Sequence, residues 1–189
     1  MSRRILFSLL TLSLIANVVL VQKQVAHNDA TATTATTSIP STDERYKDGM
    51  SYPLLRVVDG DTVIIGVASD AEYVRLIGID TPESNISASG PECYASEATK
   101  KLKELVQTTG TVVLRFDTSQ GLRDKYGRLL AYVELPDGTD LGERMVSEGY
   151  ARQYTYDLPY GRTDQYKQAE NDAIQNTRGL WSDKVCATK

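Results

Sequence analysis

From residue 43 onward the hydrophobic positions of the chain change rhythm twice. Tyr52 to Val58 and Thr62 to Val67 are short runs rich in β-branched residues, and the Asp59-Gly60 pair between them signals a hairpin. Ala68 to Ala71 makes a turn. Glu72 to Ile79 predicts a third strand, which Pro82 must stop because proline has no N–H for a ladder. From Glu92 the period lengthens: Ala95, Ala98, Leu102, Leu105 and Val106 share one helical face, with Glu97, Lys100, Lys101, Lys103 and Glu104 around the other. Gly110 ends that helix, and Thr111 to Phe116 and Leu129 to Leu135 return to strand. Asp140 is placed to cap a short helix carrying Leu141, Met145 and Val146. Thr163 to Gln175 predicts a last amphipathic helix, followed by "RGLWS".

Five strands and three helices in this order make an α+β domain with a mainly β core, too short for a sandwich. A partly open five-stranded barrel of the OB type, with three helices packed on it, fits best. In front of it, two arginines precede Ile5 to Val21, an uncharged and mostly apolar run, which is the pattern of an export signal or a membrane anchor. No small-residue cleavage site follows directly, since the nearest A-x-A is Ala30-Thr31-Ala32; cleavage and anchoring both stay open, with an uncleaved anchor favoured. The expected division is residues 1–27 as signal or anchor, 28–45 as a Thr/Ala/Ser-rich linker that cannot bury enough surface to order itself, and 46–189 as the folded domain.

Charge narrows the partners. The chain has 21 basic and 25 acidic residues, and residues 1–42 hold only Arg3, Arg4, Lys23 and Asp29, leaving 18 basic against 24 acidic beyond them, a net charge of −6. Such a domain has no general attraction for a polyanion, so a polyanion site must be a local patch or borrow charge from a metal ion. The one histidine, His27, lies in the linker. That removes Ser-His-Asp and Cys-His catalysis and most zinc hydrolase sites from the domain, leaving carboxylates, arginines and a hard metal. Cys93 and Cys186 both follow the export segment. A disulfide between them suits an oxidising compartment, with two separate buried thiols as the alternative.

The charged residues that interrupt apolar runs are the candidate chemistry. Asp59 and Asp61 flank a glycine at the first hairpin tip, Arg75 sits within the third strand, Asp80 and Glu83 close it, and Arg128 opens the fifth after "RDKYG". If the first three strands are neighbours, the hairpin tip and the end of the third strand share one rim. Two carboxylates and a backbone carbonyl there are hard oxygen ligands suited to Ca2+. Two arginines from different strands can grip a phosphate bidentately. Taken singly, Asp59 and Asp61 read as turn residues, and Lys100, Lys101 and Lys103 as a solvated helix face.

Together, "VVDGDTV", "VRLIGIDTPES" and "DKYGRLLAYVEL" closely resemble three signature blocks of the thermonuclease family, the staphylococcal-nuclease-like, Ca2+-dependent secreted nucleases. The resemblance runs from about Ser51 to Ser182 and takes in "CYASEA" and "GLWS". It implies an OB-fold barrel and a phosphodiesterase acting on DNA and RNA, leaving 3′-phosphate and 5′-hydroxyl ends. It implies Asp61, Asp80 and the Thr81 carbonyl as Ca2+ ligands, with Asp59 as a supporting carboxylate near the metal. Arg75 and Arg128 become the phosphate-gripping arginines and Glu83 the catalytic glutamate. Lys125 and Tyr126 match positions that contact a terminal phosphate, and Tyr154 and Tyr156 a tyrosine pair lining the nucleotide pocket, although the approach to that pair is one residue shorter here. Of the seven tyrosines at 94, 126, 150, 154, 156, 160 and 166, no more than three are expected to touch substrate, which they would do by stacking on an unpaired strand. The acidic balance departs from the basic members of the family and predicts weak binding with a modest salt dependence. A catalytically silent module of the same fold, binding nucleic acid or protein, is the alternative. A two-carboxylate glycosidase would leave the arginines unexplained. The expectation is an exported monomer, either tethered through residues 5–21 or released by cleavage, with single-stranded substrates preferred.

Overall fold

A computed structural model describes residues 45–67, 69–84 and 90–186. The expected signal or anchor, the membrane tether through residues 5–21, the linker, and most of the loop from Ser84 to Pro91 lie outside the described residues. Among the described residues no helix is long and apolar enough to cross a membrane.

The strands are β1 (Ser51–Val57), β2 (Thr62–Val67), β3 (Asp70–Leu76), β4 (Ile79–Asp80), β5 (Thr111–Arg115), β6 (Leu129–Glu134) and β7 (Arg152–Gln153). The helices are α1 (Ala95–Val106), α2 (Leu141–Ser147) and α3 (Thr163–Gln175), with a 3-10 turn at Gly179–Trp181. Strands β1, β2, β3, β6 and β5 close into a barrel in that order, as the OB-type expectation requires. Alternate residues of these strands fill it: Val63 and Ile65, Val74 and Leu76, Val112 and Leu114, then Leu129, Ala131 and Val133 are all essentially inaccessible. The α1 face predicted from its period is the one that is buried, through Ala95, Ala98, Leu102 and Val106. Only β3 and β6 pair in parallel, which puts Arg75 opposite Leu130 and brings Arg128, just before β6, to the same end of the barrel.

The sequence reading is corrected at the third strand. Instead of one strand from Glu72 to Ile79, the chain leaves the barrel after Leu76, turns at Gly78, and resumes as β4, which pairs with β7 rather than with the barrel. Gly78 has φ of +82°, and a Cβ there would lie 2.5 Å from the Tyr160 ring. Glycine is needed both for the left-handed turn and for the close approach. The two-residue β7 was not predicted, being too short to carry a periodicity.

Below the barrel, Asp140 caps α2 as expected, accepting from the N–H groups of Gly142 at 2.9 Å and Glu143 at 3.2 Å. The same buried carboxylate accepts from the Tyr166 hydroxyl at 2.8 Å and pairs with Arg162, whose other nitrogen reaches Glu134 at 2.6 Å. Burial, and then Asp140, push the Tyr166 phenol far above its usual range, so it stays a donor. One carboxylate therefore joins α2, α3 and the end of β6. Cys93 and Cys186 form a disulfide, with Cα atoms 5.9 Å apart, tying the entry of α1 to the last described residue.

A second carboxylate, Asp117, gathers the turn after β5. It accepts from the Tyr132 hydroxyl, from Gly161 N–H at 2.6 Å, and from Ser119 Oγ and N–H at 2.7 and 2.9 Å. Burial opposes its charge, but these donors outweigh it and hold the carboxyl at about 2.

Two outcomes are expected. Asp140→Ala should destabilise the fold by about 3 kcal/mol in urea titrations, since it removes a cap and strands the partly buried Arg162. Asp117 has a depressed folded-state pKa, so its contribution is complete above the ordinary value of 3.8 and is lost as pH falls towards about 2. Thermal melts between pH 5 and pH 2 should fall less steeply for Asp117→Asn than for the wild-type protein, from a lower starting stability.

Candidate active site

The rim where β1 and β2 meet carries the first carboxylates. Gly60 separates Asp59 from Asp61 because the hairpin tip lies against Thr81: a Cβ at Gly60 would be 2.8 Å from that side chain. Pressed there, Asp61 is buried. Its Oδ2 accepts from Thr81 N–H at 3.3 Å and Thr81 Oγ1 at 3.1 Å, and its Oδ1 accepts from Thr62 Oγ1 at 2.9 Å. The register Thr62 to Arg75 then brings the guanidinium across: Arg75 Nη2 is 3.0 Å from Asp61 Oδ2 and 3.3 Å from Asp80 Oδ1. The turn at Gly78 is what swings Asp80 back to meet it.

Burial, and then the Asp61 carboxylate, push Asp59 up to about 6. Burial also raises Asp80, against the pull of Arg75, and raises Glu83 together with the Asp61 and Asp80 charges. Four carboxylates thus share one field in which Arg75 is the nearest compensating cation. Among the described residues no three Asp, Glu, His or Cys side chains converge on one point. The oxygen donors nearest one another on this rim are the carboxylates of Asp61 and Asp80, both within 3.3 Å of Arg75 Nη2, and these with a main-chain oxygen such as that of Thr81 could hold a metal ion. A hard, oxygen-seeking divalent cation fits that set, and a thiol- or imidazole-seeking one does not.

Arg128 arrives from the other side on a small hairpin. Arg123 fixes its base by a forked pair to Glu72 at 3.0 and 2.9 Å, and Asp124 fixes its tip. Asp124 accepts from Tyr126 N–H at 2.9 Å, from Arg128 N–H at 3.0 Å and from Arg128 Nε at 2.7 Å. Those bonds outweigh burial and hold its carboxyl below the ordinary range. Arg128 Nη1 lies 3.4 Å from Thr62 Oγ1, so Thr62 stands between the second arginine and Asp61. Lys125 and Tyr126 occupy the hairpin tip, with the ammonium 5.1 Å from the ring centre.

Between these elements lies an open cleft of about 650 Å3. Arg75, Asp80, Glu83, Lys125, Tyr126, Arg128, Tyr154 and Tyr156 all line it. Asp59, Asp61 and Thr81 do not; Asp61 and Thr81 lie behind Arg75 and Asp80. Tyr126 and Tyr156 are the most exposed large hydrophobic side chains described, at 73% each, and Tyr154 and Tyr156 are 6.4 Å apart, tilted. Tyr94 and Tyr150 stack on each other and Tyr166 is core, which leaves Tyr126, Tyr154 and Tyr156 as the exposed rings lining the cleft. Buried Tyr160 also reaches its floor, donating to Gly78 O at 3.1 Å.

Sequence reasoning missed Asp124 and Thr62. Asp124 had a signal, an acid four residues before Arg128 in "RDKYGR". Thr62 meets Arg128 across the fold, and its local sequence gives none.

Residues 73–183 match the model of the Staphylococcal nuclease homologue family, a span that takes in Arg75, Asp80, Thr81, Glu83 and Arg128, with Asp59 and Asp61 before it. The SPbeta prophage-derived endonuclease YokF of Bacillus subtilis (strain 168) is 39% identical over 137 residues, which is 72% of this chain and 45% of YokF. Endonuclease YncB of the same organism is 36% identical over 140 residues, 74% of this chain and 65% of YncB. Thermonuclease of Staphylococcus hyicus is 34% identical over 133 residues, 70% of this chain and 76% of that protein. The chain thus spans about half to two thirds of the length of the two Bacillus relatives. With the match covering more than half of its length, on a closed barrel that sets both arginines beside one cleft, the chain belongs to the Staphylococcal nuclease homologue family.

Proposed function

We propose that this chain is an exported, Ca2+-dependent nuclease that hydrolyses phosphodiester bonds of DNA and RNA, leaving 3′-phosphate and 5′-hydroxyl ends. The observation that carries the reading is the pair of arginines, Arg75 from β3 and Arg128 from the start of β6, lining one cleft with Glu83 and Asp80. Relatives named endonuclease and thermonuclease support it.

In this reading the scissile phosphate lies between the guanidinium groups, which neutralise the charge that grows on its non-bridging oxygens. Glu83 takes a proton from the attacking water, a task for which its raised pKa suits it. The water oxygen bonds to phosphorus, the bond to the 5′ oxygen breaks in line, and that oxygen takes a proton from solvent and leaves as the hydroxyl. Bound at Asp61, Asp80 and Thr81, Ca2+ would supply further electrophilic stabilisation of the phosphoryl oxygens. Arg75 is paired with both carboxylates, so a cation there would compete with it and free its outer nitrogens for phosphate.

The exposed rings of Tyr126, Tyr154 and Tyr156 suit bases out of a duplex, favouring single strands. Export, with the disulfide intact, follows from the apolar segment at residues 5–21, which can tether the protein or be removed. A monomer is the simplest state for a cleft served by one chain.

The test is cleavage of single-stranded DNA by the purified protein with Ca2+ or with excess chelator. Cleavage should vanish in chelator, and Arg75→Ala, Arg128→Ala and Glu83→Gln should each lower kcat by about 100-fold or more. An intact wild-type protein that binds the strand without cutting it would make the chain a binding module of the same fold. Asp124→Asn should act through Arg128, lowering kcat by roughly tenfold while Tm changes little, since it weakens the bond that aims the guanidinium.

A further inference from the structure

Glu83 follows Pro82, three residues past the end of β4, where no ladder holds it, and among the described residues its carboxylate makes no hydrogen bond of its own. Its direction is set through its backbone, and both backbone groups end on one residue. Glu83 N–H donates to Glu92 Oε2 at 3.0 Å, and Glu92 N–H donates to Glu83 O at 2.9 Å. Glu92 in turn is held from three sides. Its carbonyl accepts from Ala95 N–H at 3.2 Å at the entry to α1. The adjacent Cys93 is bonded to Cys186. Tyr94, in a left-handed turn with φ of +76°, stacks on Tyr150 at 5.4 Å.

We propose that Glu92 is a positioning residue for Glu83, and that the Cys93–Cys186 disulfide holds it in place, so that a dithiol reductant lowers activity by releasing the Glu83 backbone. The proposal rests on the reading of Glu83 given above. Both cysteines are exposed, which gives a reductant access. The redox step balances: a dithiol gives up two electrons and two protons, the S–S bond becomes two thiols on Cys93 and Cys186, and the dithiol closes to its own disulfide. Loss of the crosslink frees the C-terminal segment from residue 93 and leaves the short Pro91–Tyr94 stretch with only its Tyr94 stacking and the start of α1. A displacement of the base by about 1 Å is enough to cost a large factor in rate.

The experiment uses the full chain in three forms, wild type, Glu92→Ala and Glu92→Gln, each oxidised and after reduction by dithiothreitol. Steady-state cleavage of a short oligonucleotide and hydrogen exchange at the Glu83 amide are read together. Oxidised Glu92→Ala should lose about tenfold to 100-fold in kcat with KM unchanged, because the arginines and tyrosines that bind are not involved. Glu92→Gln keeps a carbonyl acceptor and should recover most of the rate. Reduction should lower kcat and speed Glu83 amide exchange in the wild type, and do little more in Glu92→Ala, whose tether is already gone. Unchanged kcat in Glu92→Ala, no rescue by Gln, or full activity with slow exchange after reduction would each overturn the proposal. A shared fall in Tm without the kcat-only signature would make Glu92 a stabilising residue and nothing more. If the oxidised wild type cleaves nothing in Ca2+, the nuclease reading and the catalytic role fail together, and the exchange rates still decide whether the disulfide holds Glu83.

Discussion

The close fit of Gly78 against Tyr160 is the contact on which the cleft depends. It ends the third barrel strand, and the left-handed turn there sends the chain back so that Asp80 meets Arg75 on the strand it has just left. The Gly78 carbonyl receives both the Tyr160 hydroxyl at 3.1 Å and Tyr154 N–H at 2.9 Å. The wall that carries Tyr154 and Tyr156 is therefore fastened to the wall that carries the arginine at this peptide, next to the β4–β7 pair. A side chain at position 78 would separate the two walls as well as strain the turn.

Charge in the cleft is local and opposed to the balance of the chain. An acidic domain offers a polyanion little long-range attraction. Its cleft nevertheless presents two arginines held by carboxylates, Arg75 by Asp61 and Asp80, and Arg128 by Asp124. Such pairs cost little rotamer entropy when a phosphate arrives, because the guanidinium planes are already set. The carboxylates aim the arginines and concentrate negative charge at the rim.

Rigidity is distributed unevenly around this site. The hairpin bearing Arg128 and the network of Asp140, Tyr166, Arg162 and Glu134 are each fixed by several charged hydrogen bonds. Glu83 has no such network, and its backbone hangs on Glu92 alone among the described residues. That tether is short and is closed by the neighbouring Cys93–Cys186 crosslink.

Much of the molecule was legible in its residues. The five barrel strands and three helices follow from a period of two changing to 3.6, because burial on one face imposes that spacing wherever a strand or helix covers a core. Asp140 as a cap, and the pairing of Cys93 with Cys186 as one of two alternatives, were likewise visible from local chemistry. The break at Gly78 was not, since an apolar run with one glycine reads as strand until a distant ring, Tyr160, occupies the space. Nor could sequence separate Asp59 and Asp61 as turn formers from the same residues as site carboxylates. That was decided by the approach of Thr81, 20 residues on, to the hairpin tip. The partners of Arg75, the role of Thr62 between two charges, and the bond from Glu83 to Glu92 all join elements far apart in the chain. Pattern reveals which face a residue presents; only closure of the barrel brings those faces within hydrogen-bond range of each other.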